Sequence, residues 1–239
     1  GAEVHGVEID KNVLEFSKWF VNWNHDVLTR SNTKMFIQDG RSFLKWTMEA
    51  YDVIIMEPMS PLQAGVVSLY SQEFYELALK RLKSNGLLVQ WLPLHLVGPE
   101  DARSITQTFG KVFPEFSVWN SFLTRIILLV GSRQPIVLDL NHFDSLLKNE
   151  AVRGIAYEMK VNSFLDFADF YIADGKILSP YLEGASMITD DRPSLEFSSV
   201  SLIPPLKWET DESFLNLLRF RLDHFPEIKG LEGMKLERF

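Results

Sequence analysis

Apolar residues in this chain come in short β-branched runs separated by stretches with helical spacing. The clearest run lies in residues 51–57, where Val53-Ile54-Ile55-Met56 has the unbroken apolar character of a strand covered on both faces. Glu57 ends it. Pro58 and Pro61 follow, so neither strand nor helix can continue, and the pattern predicts a carboxylate at the mouth of a loop. Gly65 and its small neighbours suit that loop to act as a lid ahead of a helix that begins near Ser71. Residues 4–9 and 35–38 read as two shorter strands, and 87–94 as a fourth, interrupted by Gln90 and Trp91. Helical spacing fills the gaps, with Val13, Leu14, Phe16, Phe20 and Val21 marking 11–23, and further helices over 42–49, 71–83 and 99–112. Asn85-Gly86 is expected to close the helix over 71–83 as a left-handed stop. Strands over 116–120 and 125–131 are joined by so short a link that an antiparallel pair is expected.

Strand and helix therefore alternate as far as Ser132, which predicts an α/β fold with a doubly wound, mostly parallel sheet over residues 1–135. Beyond it the periodicity weakens, and residues 136–239 are expected to form a mainly helical extension packed on that domain. Helices are predicted over 141–149, 161–171 and 211–224, with 202–206 irregular and the polar tail from Pro226 frayed. The stretch ITDDRPSLEF, 188–197, reads as a loop in which adjacent acids and Arg192 pin a turn.

Composition narrows the functions. The net charge of -8 argues against an electrostatic nucleic-acid binder. The chain has no cysteine, which excludes disulfides and thiolate chemistry. No apolar run approaches the roughly 20 residues of a membrane span. Three acids at strand ends remain as candidate chemistry. A strand-acid-helix order at Glu8 suits a carboxylate accepting from two ribose hydroxyls, with Asp10 as the cap of the next helix. Asp39 could accept from an exocyclic amine while Gly40 lets the backbone approach a flat ring, although an Asp-Gly turn with Asp39 as helix cap accounts for the same residues. Glu57 is either a ligand-facing acid or a solvated strand end. Gln90, inside a buried strand, needs partners or a ligand. The five histidines show no metal-ligand spacing, and only His95 lies beside a strand end.

GVEID at 6–10, QDGRSFL at 38–44, YDVIIMEP at 51–58, LYSQEFYE at 69–76 and NGLLVQW at 85–91 together resemble the spermidine synthase-like family of polyamine aminopropyltransferases. ITDDRPSLEF resembles a motif of its uncharacterised branch, whose members are often fused to membrane segments. The resemblance implies a sheet of the class I S-adenosylmethionine-dependent methyltransferase type. The first, central strand of that sheet and its glycine-rich loop have no counterpart here, so the natural protein is expected to extend upstream. It further implies Glu8 on the ribose, Asp39 and Gly40 on the adenine, Glu57 in place of the catalytic Asp, and Gln90, Ser60 and Tyr75 lining the substrate pocket. The co-substrate would be decarboxylated S-adenosylmethionine or S-adenosylmethionine, without a metal. The partner would be a small-molecule amine, with no nucleic acid, a possible homodimer and a cytoplasmic location. Where the synthases read Asp-Ser-Ser-Asp-Pro, this chain has Glu57-Pro58-Met59-Ser60-Pro61. Loss of the second acid to Ser60 removes one of two anionic anchors for a diamine, at a cost of about 1–3 kcal/mol in binding. Methyl transfer from S-adenosylmethionine and non-catalytic nucleoside binding are the alternative functions.

Overall fold

The computed structural model of the chain describes residues 1–58, 63, 65–123, 125–198, 207–221 and 224–230, with side chains of 207–212 left aside. Two compact units divide it, Gly1–Glu49 and Ala50–Phe239.

In the first unit β1 (Val4–Glu8) and β2 (Thr33–Ile37) pair in parallel, from Val4 opposite Thr33 to Glu8 opposite Ile37. Asp10 caps α1 (Lys11–Ser17), its carboxylate accepting the Asn12 N–H. The helix expected over 11–23 does not run unbroken. A 3₁₀ turn (Lys18–Phe20) intervenes before α2 (Val21–Asn24), and His25 and Asp26 follow in left-handed conformation. The Asn24 amide donates to the Ser17 carbonyl at 2.7 Å, a side-chain bond of the kind that competes with the helical ladder. After β2 comes α3 (Gly40–Trp46), which buries Phe43 and Leu44. The Phe36 ring of β2 packs against the rings of Phe43 and His5.

The second unit opens with β3 (Tyr51–Met56), a 3₁₀ turn (Val66–Leu69), α4 (Gln72–Arg81), β4 (Leu82–Pro93) and α5 (Pro99–Val112). Then follow β5 (Glu115–Asn120), β6 (Ile126–Ser132), β7 (Val137–Asp139), α6 (Leu140–Leu147), α7 (Glu150–Glu158), α8 (Phe164–Ala168), β8 (Tyr171–Asp174), α9 (Gly175–Leu182), α10 (Lys207–Leu218) and β9 (Glu227–Lys229). The main sheet has the order β3-β4-β6-β5-β8, and β7 pairs with β9. β3 and β4 are parallel, as are β7 and β9, whereas β4–β6, β5–β6 and β5–β8 are antiparallel. The fold is α/β, as the alternation predicts, and β5 and β6 form the expected antiparallel pair.

Several local expectations are corrected. β3 is not covered on both faces: it stands at the sheet's edge, with Val53 48% and Ile55 70% exposed. The helix over 71–83 does not end on a left-handed residue. It passes at Leu82 (φ -84, ψ 140) straight into β4, which starts five residues earlier than predicted. Gly86 serves a close approach instead, since a Cβ there would stand 2.8 Å from the Tyr51 carbonyl oxygen of the neighbouring strand. The helix over 161–171 shortens to α8 because Tyr171, Ile172 and Ala173 are all buried in β8 against β5. The extension after residue 136 thus carries strands besides helices, and part of the tail from Pro226 is ordered as β9. The 202–206 segment lies outside the described residues.

The core of this unit is the face of the sheet under α4 and α5. Leu88, Leu92, Ile127 and Leu129 of the sheet and Ile105 and Phe109 of α5 are all fully buried.

Candidate functional site

The first unit offers two carboxylates at one strand end. Register places Glu8 opposite Ile37, and the Gln38 N–H donates to the Glu8 carbonyl at 3.0 Å, so Glu8 and Asp39 leave adjacent parallel strands at their carboxyl ends. That is where ligands of α/β sheets collect. The Glu8 carboxylate accepts the Asp10 N–H at 2.9 Å through Oε1. Asp39 is the N-cap of α3, its Oδ1 accepting the Ser42 N–H at 2.7 Å. The capping role weighed for Asp39 is therefore real and occupies one oxygen. Its second oxygen has no hydrogen-bond partner among the described residues. A side chain at Gly40 would meet nothing within 4 Å, so packing does not demand a glycine there and the first turn of α3 stands open.

In the second unit Glu57 directly follows β3 and is exposed, with Pro58 behind it. Met56 lies opposite Gln90 in the parallel ladder, which puts Glu57 and Gln90 at the same end of β3 and β4. Their surroundings differ sharply. Gln90 alternates with Leu88 and Leu92 on the buried face, is 0% exposed, and neither atom of its amide has a partner. Tyr75, in the first turns of α4, is also fully buried with an unpartnered hydroxyl, and its ring lies 5.1 Å from that of Phe109. Burial drives the Tyr75 phenol well above its ordinary range, and the neighbouring Tyr70 adds to this. Gln90 opposes the rise, so its amide stands near the phenol without meeting hydrogen-bond geometry. Tyr70 is itself raised by burial. Ser60 lies outside the described residues. His95 is exposed in a 3₁₀ turn (Leu94–Leu96) just beyond β4.

An unpartnered buried amide costs about 1–3 kcal/mol. Gln90→Met, which keeps the volume, is expected to raise the unfolding free energy by about that amount, read from urea denaturation. Unchanged or lower stability would show that the amide finds partners in solution.

The sequence reads 188–197 as a pinned turn that also carries a family-like motif, and the structure adds its contacts. The turn is closed by pairing of Thr189 with Arg192, whose N–H also donates to Thr189 Oγ1 at 3.1 Å. The segment then lies along the chain that leads into α4. Glu196 accepts the Gly65 N–H at 2.8 Å, a pairing across 131 positions that no sequence periodicity signals. Among the described residues no group of three or more His, Asp or Glu is gathered to hold a metal ion, and no helix is long and apolar enough to cross a membrane.

The spermine/spermidine synthase domain profile matches residues 2–128. A polyamine aminopropyltransferase of Saccharolobus solfataricus is 29% identical over 154 residues, covering 62% of this chain and 51% of the relative. Polyamine aminopropyltransferase 2 of Aquifex aeolicus is 27% identical over 161 residues, covering 62% of this chain and 31% of its own length. The chain thus spans about half or less of these relatives. Among solved structures, a probable spermidine synthase from Corynebacterium glutamicum matches with a TM-score of 0.50 at 20% identity, covering 78% of this chain and 63% of that one, a likeness of fold.

Proposed function

The chain belongs to the spermine/spermidine synthase domain family, and from that premise we propose that it carries the nucleoside-binding and base-bearing parts of an aminopropyltransferase acting on an amine other than a compact diamine. The observation that carries the reading is the placement of Glu8 and Asp39 at the ends of adjacent parallel strands, beside an α3 turn left open at Gly40. Glu8 accepts from the ribose hydroxyls. Asp39 uses the oxygen that its cap leaves unengaged to accept from the adenine amine, and the ring lies over Gly40.

Glu57 handles the acceptor. An amine is protonated in water, so its lone pair is free only after a proton leaves. The carboxylate holds the ammonium, takes or relays that proton, and orients the nitrogen. The nitrogen lone pair then forms a bond to the propyl carbon next to the sulfonium. The carbon–sulfur bond breaks with its electron pair going to sulfur, which leaves as neutral methylthioadenosine and needs no acid. The proton that Glu57 took passes on to water, and the new secondary amine remains protonated as an ammonium. The Ser60 substitution argues for an acceptor with one cationic group near Glu57.

Calorimetric titration of the full-length protein with methylthioadenosine, S-adenosylmethionine and decarboxylated S-adenosylmethionine tests the reading. We expect the decarboxylated form to bind best. Asp39→Ala should weaken all three by roughly ten- to hundred-fold, and should cost about 1 kcal/mol of stability through the lost cap. Preference for intact S-adenosylmethionine would move the assignment to methyl transfer, and absence of binding would leave a non-catalytic domain.

A further inference from the structure

We propose that the recess lined by β5, β8 and the start of β9 is a further binding site, for a small organic ammonium ion that also carries an oxygen able to accept a hydrogen bond. The recess lies away from the strand-end acids, and the inference does not rest on the role of Glu57. β4 and β6 separate β5 from β3, about 14 Å across the sheet. β5 runs parallel to β3, so Glu115 opens β5 at its amino end whereas Glu57 follows the carboxyl end of β3.

Strand alternation builds the walls. Phe116 turns toward α5, where a side chain at Gly110 would strike its ring, so Glu115, Ser117 and Trp119 share the opposite face of β5. Tyr171 and Asp174 of β8 stand opposite Trp119 and Ser117 in the antiparallel ladder, and residues directly opposite share a face. The Trp119 and Tyr171 rings meet edge to face with centroids 5.3 Å apart, and both are buried. Pro226 and Glu227, where β9 begins, complete the lining. The recess has a volume of about 450 Å³, the size of a small-molecule site.

Two observations give the ligand its chemistry. The first is a buried donor. Ser117 is 4% exposed, and its hydroxyl accepts the Trp119 indole N–H at 2.7 Å, which leaves its own proton without an acceptor among the described residues. An unpaired buried donor costs stability, so a ligand oxygen that accepts from it is favoured. The second is uncompensated charge. Three carboxylates line the recess, Glu115, Asp174 and Glu227, against one ammonium, Lys176. Asp174 commits Oδ1 to the Lys176 and Ile177 N–H groups at 2.9 Å as the cap of α9, and its Oδ2 has no partner among the described residues. The Glu115 and Glu227 carboxylates make no hydrogen bond or ion pair with any described residue. An ammonium placed among them gains charge-assisted hydrogen bonds, and the aromatic walls suit a cation with an apolar body. The same charge disfavours an anion.

Tyramine supplies an ammonium, an aromatic body and a phenol oxygen, and serves as the probe in calorimetric titration of the full-length protein. It should bind roughly ten-fold more tightly than para-ethylphenol, its analogue without the amine. It should also bind several-fold more tightly than phenethylamine, which lacks the oxygen. Glu115→Gln combined with Glu227→Gln should weaken tyramine roughly ten-fold with the thermal unfolding midpoint unchanged, and Glu57→Gln should leave its affinity as it is. In hydrogen–deuterium exchange of the wild type, tyramine should slow peptides covering 114–119 and 171–179, a readout that needs no variant to fold. Absence of binding at millimolar tyramine, equal affinity for para-ethylphenol, or protection anywhere but these peptides would overturn the site. Tyramine binding lost in Glu57→Gln but kept in the double variant would place the amine at the strand-end acid and overturn it as well. Equal affinity for phenethylamine would overturn the part assigned to Ser117.

Discussion

On the reading proposed for Glu57, Glu57→Gln is expected to lower the rate of amine alkylation by roughly two to four orders of magnitude, the range a positioned acid–base group supplies, with nucleoside affinity unchanged. The substitution preserves shape and hydrogen-bonding capacity but removes the negative charge and the proton acceptor, so the amine stays an ammonium with no lone pair to donate. Release of methylthioadenosine, followed chromatographically, measures the rate. Raising the pH toward the pKa of a free alkylamine, about 10.4, supplies neutral amine from solution and should narrow the gap between variant and wild type. Glu57→Asp retains the charge on a shorter stem and should fall between them. A Gln variant as fast as wild type would mean that another group takes the proton, and exposed His95, just past the end of β4, would be the next candidate.

Phe109→Ala is the corresponding test of the core, expected to lower the unfolding free energy by about 3–5 kcal/mol. The Phe109 ring is fully buried, stacked on Phe113 with centroids 4.6 Å apart and edge-on to Tyr75 and Phe116 at 5.1 and 6.2 Å. Truncation forfeits the transfer energy of a buried phenyl group and three aromatic contacts, and rigid neighbours close the void only partly. Phe109→Leu refills much of the space and should cost less, roughly 1–2 kcal/mol. Guanidinium denaturation followed by far-ultraviolet circular dichroism measures the loss. A loss below about 1 kcal/mol would show that the cluster repacks freely.

What could be read in advance follows the physics of range. α5 occupies Pro99–Val112 as its spacing predicts, and Asp10, Asp39 and Ser71 cap the helices they precede, because capping is settled within a few residues. The antiparallel β5–β6 pair was legible from its short link. β8 was not. Its four residues carry no period of their own, and its partner β5 lies some fifty positions upstream. α7 and α9 were missed because short amphipathic segments in a weakly periodic region resemble loops. At the site, strand-end acids were visible as acids before a break in structure. The burial of Gln90 and Tyr75 together was not, since it depends on α4 and α5 covering that face of the sheet. The Glu196–Gly65 bond depends on the path of the whole second unit.

The first unit has one further consequence, for cooperativity. Of its 49 residues only Phe43 and Leu44 are buried. Taken by itself this stretch buries too little apolar surface to unfold as an all-or-none unit, and regions with least burial open first. Glu8 and Asp39, the acids proposed to hold the nucleoside, sit in that unit. Any ligand they hold favours the closed form by mass action, so occupancy and local folding become one equilibrium. On that reading, affinity at these acids would include the work of ordering the strands that carry them.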